Sequence, residues 1–380
     1  MVDNHAAGLK TRADKTGLPA VAIVGARGYS GLELARLLLR HPHANLVGCF
    51  ATDTGFSLGS YLPESAAQSV PTWTLGQFEA KVKGLHTLFL ATPAEVSLEL
   101  APKALALGVN VVDLSGAYRL ALGSPTEQSA NYKKWYGFTH SQTDLLNKAQ
   151  YGLVPWVGRE VKGQGPHLIA NPGCYATSVL MAIVPLLKAK SVIPESIVID
   201  AKSGTSGGGR KASENLLFTE VEGECLPYKV GGHQHLPEIS ETIERLTGVK
   251  TEPFFTTHLL NVRRGIISSI YARLTPHFKG STDQETDLRV TSLFHEAYAR
   301  DTLVQFAALG TDGGDHLLSL KRVVGSPRTQ IAFRARGDKL HVFSLIDNLL
   351  KGAAGQAIEN FNRLNGLASE TGLSNVEGVL

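Results

Sequence analysis

The sequence predicts two unlike α/β halves: a doubly wound parallel sheet with helices on both faces, then an α+β region built on a mixed sheet. Three observations predict it. The chain opens with an apolar strand, a glycine turn and an apolar helix. Strand and helix then alternate as far as Asp113. From Ile197 that rhythm gives way to longer β-branched runs separated by glycine-rich loops. With 380 residues the chain has ample length for two domains.

In order, Leu18 to Val24 reads as the first strand and Leu32 to Arg40 as its helix, stopped before Pro42. Ala44 to Phe50 is a second strand. Thr87 to Leu90 and Val109 to Asp113 are further strands, with a helix from Ala94 to Leu107 between them. Asn171 and Pro172 suit the N-cap and first position of another helix, which puts Cys174 in the first turn of the apolar run Ser178 to Lys188. The later strands are Ser196 to Ala201, Ile266 to Leu274, Gln330 to Ala335 and His341 to Leu345. A last helix, Asp347 to Asn362, returns to the first domain. The boundaries that follow are a disordered tail over 1–18, a first domain over 19–171 with 346–366, a second over 172–345, and a C-terminal tail over 367–380.

Composition excludes several classes. The 43% hydrophobic and 19% charged residues describe an ordinary globular protein, and a net charge of +3 gives no reason to expect a nucleic-acid or membrane partner. An anionic small substrate is compatible with it. Cys49, Cys174 and Cys225 are too few and too odd in number for a disulfide framework, and no spacing suits zinc, so no metal is expected. Residues 1–18 lack the apolar stretch of a signal peptide and no run reaches transmembrane length. A cytoplasmic protein is expected.

Six segments carry chemistry. Gly25-Ala26-Arg27-Gly28-Tyr29-Ser30-Gly31 lies between the first strand and helix, where glycines let a backbone approach a pyrophosphate resting on a helix N-terminus; a tight turn without a ligand is the alternative. The second strand runs out at Thr52 and Asp53, either of which could face an adenosine ribose. Asp113 to Arg119 follows a strand at the carboxyl edge of the sheet. There the planar fork of Arg119 suits a phosphate or carboxylate, unless it serves a surface ion pair. Ser203 to Lys211 is rich in donors and reads equally as an anion loop or a flexible turn. His233 and His235, on an extended segment, would share one face as acid/base candidates, and no third metal ligand stands nearby. Cys174 has two readings, a buried structural thiol or a nucleophile whose pKa the helix end lowers.

Taken together with Tyr136 to His140, Tyr151 to Leu153, Pro172 to Tyr175, Gly232 to His235 and Asp347 to Ala354, these blocks make the chain resemble the N-acetyl-gamma-glutamyl-phosphate reductases of the aspartate-semialdehyde dehydrogenase superfamily, from about Leu18 to Gly366. The resemblance implies a Rossmann-type dinucleotide-binding domain completed by the C-terminal helix, and an α+β catalytic and dimerisation domain. It implies a cytoplasmic homodimer or homotetramer of arginine biosynthesis that reduces an acyl phosphate with NADPH through a Cys174 thioester. His235, or else His233, would move the proton. Arg119, Ser115, Asn171 and Glu238 would meet the substrate. Gly25, Arg27, Gly28, Tyr29, Ser30, Gly31, Thr52, Ser203, Gly204, Ser206 and Gly207 would meet NADPH/NADP, with Asn348 on the nicotinamide carboxamide. Ala176 stands where the family usually has proline, and Ala91-Thr92-Pro93-Ala94-Glu95 lacks a common histidine. The alternatives are reduction of aminoadipyl or aspartyl phosphate, or a cofactor sensor that has lost catalysis.

Overall fold

The computed structural model describes residues 17–52, 55–158, 161, 163–311 and 314–373. Asp53, most of the expected N-terminal tail and residues 374–380 lie outside the described residues.

Strands β1 (Ala20–Val24), β2 (Asn45–Phe50), β3 (Thr72–Trp73), β4 (Thr87–Leu90), β5 (Asn110–Asp113), β6 (Gln150–Tyr151) and β7 (Leu168–Ala170) form one sheet in the order β3-β2-β1-β4-β5-β7-β6. Every neighbouring pair is parallel. Period-two alternation explains the layers, since Val21 and Ile23 point to one face and Ala22 and Val24 to the other. The first face packs on the helices Tyr29–Arg40 and Gly355–Leu364, through Leu34, Leu38, Ile358 and Phe361. The second packs on Ala94–Ala106 through Leu100, Ala101 and Ala104. Strand order reverses between β1 and β4, so the glycine turn after β1 opens at the switch point where such sheets bind ligands.

A second sheet contains β8 (Val198–Gly204), β9 (Cys225–Tyr228), β10 (Phe254–Leu260), β11 (Ile266–Arg273), β12 (Val304–Ala308), β13 (Thr329–Arg336) and β14 (Lys339–Ile346) in the order β12-β13-β14-β11-β8-β10-β9. It is mixed, with β8–β10 and β12–β13 parallel and the other pairs antiparallel. One face is covered by the helices Cys174–Lys188, His235–Thr247 and Asp283–Tyr298. Every residue from Tyr175 to Leu187 is buried, as a helix apolar on all sides requires.

The expected helix from Asp347 begins later. The Asp347 carboxylate accepts N–H groups from Leu349 (2.8 Å), Leu350 (3.1 Å) and Gly325 (2.7 Å), which holds the entry in a turn. A π-helical stretch Leu350–Ala354 follows, and the α-helix spans Gly355–Leu364. Part of the expected C-terminal tail is packed: Leu373 is fully buried, and the Thr371 carbonyl lies 3.1 Å from His41 Nε2.

Phe361 is fully buried, edge-on to His41 (5.4 Å between centroids) and tilted against Phe89 (6.1 Å). Phe361→Ala should cost about 3–5 kcal/mol and release the C-terminal helix from the first sheet. Thermal unfolding of the variant checks this, and an unchanged midpoint would show that the helix is not held there.

Candidate active site

The carboxyl ends of β5 and β7 lead into the two loops that build the site. After β5 the buried Asp113 accepts the Ser97 hydroxyl (2.7 Å) and both the N–H (3.0 Å) and hydroxyl (2.8 Å) of Ser115; burial raises its pKa, and these hydrogen bonds oppose the rise. The Ser115 oxygen also accepts the Ala117 N–H at 3.1 Å. Ser115 thus shapes its own loop. Asn171 is also held by the protein. It is buried, donates to the Ala353 carbonyl (3.2 Å) and accepts from Asn360 (3.1 Å).

Arg119 is buried beneath these loops. Its Nε donates to the Asn171 carbonyl (2.9 Å) and Nη2 to the Leu114 carbonyl (2.8 Å), while Nη1 lies 3.5 Å from Glu238. Two arms of the fork that the sequence offered to an anion are thus engaged with backbone carbonyls. Burial opposes its charge, and Glu238, Tyr136, Tyr151 and Asp113 together more than offset the penalty, so Arg119 stays protonated.

Helix Cys174–Lys188 starts two residues later than expected, with Gly173 as N-cap rather than Asn171. The Gly173 N–H donates to Glu238 Oε1 at 2.8 Å, and the Tyr151 hydroxyl donates to the same oxygen at 2.7 Å. Any Cβ at Gly173 would collide with the His235 imidazole and come within 2.8 Å of Arg119 Nη1, so only glycine lets both groups approach the backbone before the thiol. Glu238 has no exposure. It holds Gly173 and Tyr151 from behind the start of the cysteine helix.

The two histidines do not lie on an extended segment. His233 is in a turn and His235 begins the helix His235–Thr247, yet their rings sit 4.8 Å apart. His233 Nδ1 accepts the His235 N–H (3.1 Å), which places the His233 proton on Nε2. From there a line of donors runs to the Tyr228 hydroxyl (3.5 Å), the Tyr175 hydroxyl (3.3 Å) and the His258 carbonyl (3.1 Å). Burial depresses the His233 pKa to about 2. His235 differs. Its Nδ1 has no hydrogen-bond partner among the described residues, and burial, with Arg119 nearby, holds it neutral.

Cys174, His233, His235, Ser203, Gly204 and Gly207 share a cavity of about 530 Å³ with Tyr228, Lys229 and Gln234. Cys174 is half-buried at its wall. Burial pushes its thiol up to about 11, against the pull of Arg119 and of the first N–H groups of its helix. The direction is opposite to the expected lowering, because desolvation outweighs the helix end. The resting pair is a thiol and a neutral imidazole. Ser206 and Asn348 join through Asn348 Nδ2 and Ser206 Oγ at 3.0 Å, and Asn348 Oδ1 accepts the Gly265 N–H at 2.8 Å.

A separate cleft of about 250 Å³ opens over the glycine turn, lined by Gly25, Arg27, Gly28, Thr52, Thr92 and Pro93 among others. Gly25 has φ of +86°, and a Cβ there would press on the Ala91 carbonyl, so the turn can pass under a ligand only as glycine. A dinucleotide fits this cradle. Tyr29 and Ser30 open the helix beside it, and Gly31 packs back on Gly25. Arg210 reaches over from the Ser203 to Lys211 loop, donating to the Arg27 carbonyl at 3.0 Å. Among the described residues no group of three His, Cys, Asp or Glu could hold a metal.

Family models for a semialdehyde dehydrogenase NAD binding domain and a semialdehyde dehydrogenase dimerisation domain match residues 20–164 and 174–348. The chain is 38% identical to the N-acetyl-gamma-glutamyl-phosphate reductase of Bacillus cereus over 94% of its own length and 98% of that protein, and 38% identical to the one from Brevibacillus brevis over 93% and 97%. The chain belongs to this reductase family. It is therefore an oxidoreductase with a nicotinamide-dinucleotide domain. Aspartate semialdehyde dehydrogenases of Vibrio cholerae (TM-score 0.62, 16% identity, 92% of this chain and 98% of that one) and Francisella tularensis (0.62, 14%, 92% and 100%) share the fold.

Sequence reasoning on this reductase missed Tyr228 and Lys229 at the cavity and Tyr151 as the anchor of Glu238. The signal available for the first two was their place just before Gly231-Gly232. If the resting thiol is protonated, carboxamidomethylation of Cys174 should keep accelerating between pH 8 and 10, while the exposed Cys225 is modified faster near pH 7. Peptide mapping across pH checks it; a plateau for Cys174 below pH 8 would restore helix-end activation.

Proposed function

We propose that the protein reduces N-acetyl-gamma-glutamyl phosphate to N-acetyl-glutamate 5-semialdehyde and phosphate with NADPH, a step of arginine biosynthesis. The observation that carries this reading is the half-buried Cys174 facing a cavity beside a neutral His235 with a free Nδ1. His235 takes the thiol proton as Sγ attacks the acyl carbon. The carbon–oxygen bond to phosphate breaks, the proton leaves with the phosphate, and a Cys174 thioester remains. Arg119 contributes positive charge beside Gly173, where the acyl oxygen gains negative charge, and the first N–H groups of the cysteine helix point the same way. The nicotinamide, when bound, supplies the hydride that turns the thioester into the aldehyde. Cys174 departs as thiolate and takes a proton from water, directly or relayed through His235. Asn348, tied to Ser206, is suited to orient the carboxamide, and Thr52 at the adenosine cleft leaves room for the 2′-phosphate of NADPH.

Chain length and the α-amino group separate this substrate from its relatives. Aspartyl phosphate carries an ammonium, which needs a carboxylate. Among the described residues lining the cavity there is none, and Glu238 is sealed behind Gly173. A neutral acetamide suits such a wall better. In the reverse direction, with phosphate, N-acetyl-glutamate 5-semialdehyde should give a kcat/KM about a hundredfold or more above aspartate semialdehyde, and NADP should exceed NAD. Equal rates with the two aldehydes would overturn the substrate; a preference for NAD would pass the ribose to Asp53.

The uncovered face of the second sheet supports assembly as a homodimer or homotetramer. Val198 pairs with Phe254 on one side and Tyr271 on the other, and all three are exposed (40%, 75% and 37%), giving one apolar patch across three strands. Phe254→Asp should lower the mass measured by sedimentation equilibrium while leaving the fold intact, and an unchanged mass would move the interface elsewhere.

A further inference from the structure

The substrate proposed above is anionic at both ends. Its acyl phosphate must sit at Cys174, where Arg119 lies behind the backbone. Its α-carboxylate is at the far end of the carbon chain, and a carboxylate drawn into a cavity needs a cation or several donors. Among the described lining residues, Lys229 is the one lysine or arginine, although burial lowers its pKa. It stands at the exposed rim, and its backbone is held at φ of +47°, a conformation non-glycine residues rarely adopt. Gly232 N–H closes the turn on the Lys229 carbonyl at 2.9 Å. The Lys229 ammonium donates to Gln234 Oε1 at 2.6 Å, which draws the side chain toward the histidine turn. Its charge is close enough to both imidazoles to disfavour their protonation.

We propose that Lys229 and Gln234 form the subsite for the substrate's α-carboxylate, Lys229 through its charge and Gln234 by holding the ammonium in place until the carboxylate arrives. This rests on the functional reading above. Its consequence is that recognition is divided: the reacting end is read by groups fixed in the cysteine helix and the far end by a lysine on the turn after β9. An acyl phosphate lacking the carboxylate would react through the same thiol but bind poorly.

The test uses the full-length enzyme in the reverse direction, with N-acetyl-glutamate 5-semialdehyde and its α-carboxamide as paired substrates. The unmodified enzyme should show a KM about tenfold or more higher for the carboxamide. Lys229→Met should raise the KM for the carboxylate substrate by about tenfold and erase the difference between the two, with the phosphate KM changed less than about threefold. Lys229→Arg should recover most of the discrimination, which a misfolded turn would not permit. If Lys229→Met instead raises the phosphate KM, Lys229 serves the leaving group and the proposal fails. Discrimination that persists in Lys229→Met overturns it as well. No turnover of either aldehyde by the unmodified enzyme would sink the functional reading and the subsite with it, whereas turnover with an unchanged KM in the variant sinks the subsite alone.

Discussion

A carboxylate removed from water must be met by donors or be neutralised, and at Glu238 this requirement sets the geometry of everything around it. Glu238 has no exposure, and its donors come from three separate segments: the Tyr151 hydroxyl, the Gly173 N–H and Arg119. It lies one helical turn after His235, whose Nε2 is 4.0 Å away. A single buried side chain thereby ties together the start of the cysteine helix, the arginine behind it and the imidazole in front. It also moderates the charge of the site. Burial, with a smaller contribution from Glu238, outweighs the pull of Arg119 toward a thiolate at Cys174, so the thiol stays protonated until a substrate and a base act on it.

The two halves of the molecule meet through a second ionic centre. Arg264, on the loop between β10 and β11, donates to Glu33 of the glycine-turn helix (2.8 Å) and to Asp347 at the entry to the C-terminal helix (2.9 Å). The same loop carries the segment that bears Ser203 to Lys211: Val262 and Arg263 carbonyls accept the Thr205 and Ser206 N–H groups, and the Gly265 carbonyl accepts that of Gly204. Gly204 is needed because a Cβ there would strike the Arg264 backbone. This joint links the helix that follows the glycine turn to the strand end that carries Ser203 to Lys211.

Much of this was legible in the chain. Hydrophobic periodicity marked eight of the fourteen described strands to within a few residues, because burial on one or both faces of a strand has to be written in its side chains, and it did not mark β3, β6, β7, β9, β10 or β12. Gly25, Gly28 and Gly31 marked the cofactor turn for a similar local reason, a backbone that must pass close to something. Cys174, His233 and His235 were recognisable by chemical type. Sequence alone therefore determined the fold class and offered the candidate reactive groups.

Tertiary structure decided what those groups do, since roles depend on burial and on partners distant in the chain. Nothing local distinguishes Arg119 as a phosphate fork from Arg119 donating to the Asn171 and Leu114 carbonyls, or Glu238 at the substrate from Glu238 behind Gly173. The helix-end argument for Cys174 was correct in sign and too small, because the depth of burial that outweighs it arises only when Gly352, Glu238 and the cysteine helix converge. The same convergence separated two histidines that look alike in sequence. His233 is a committed donor because its Nδ1 meets the His235 backbone, and His235 is left with a buried Nδ1 that has no hydrogen-bond partner among the described residues. Periodicity is a property of neighbours along the chain; protonation and pairing belong to neighbours in space.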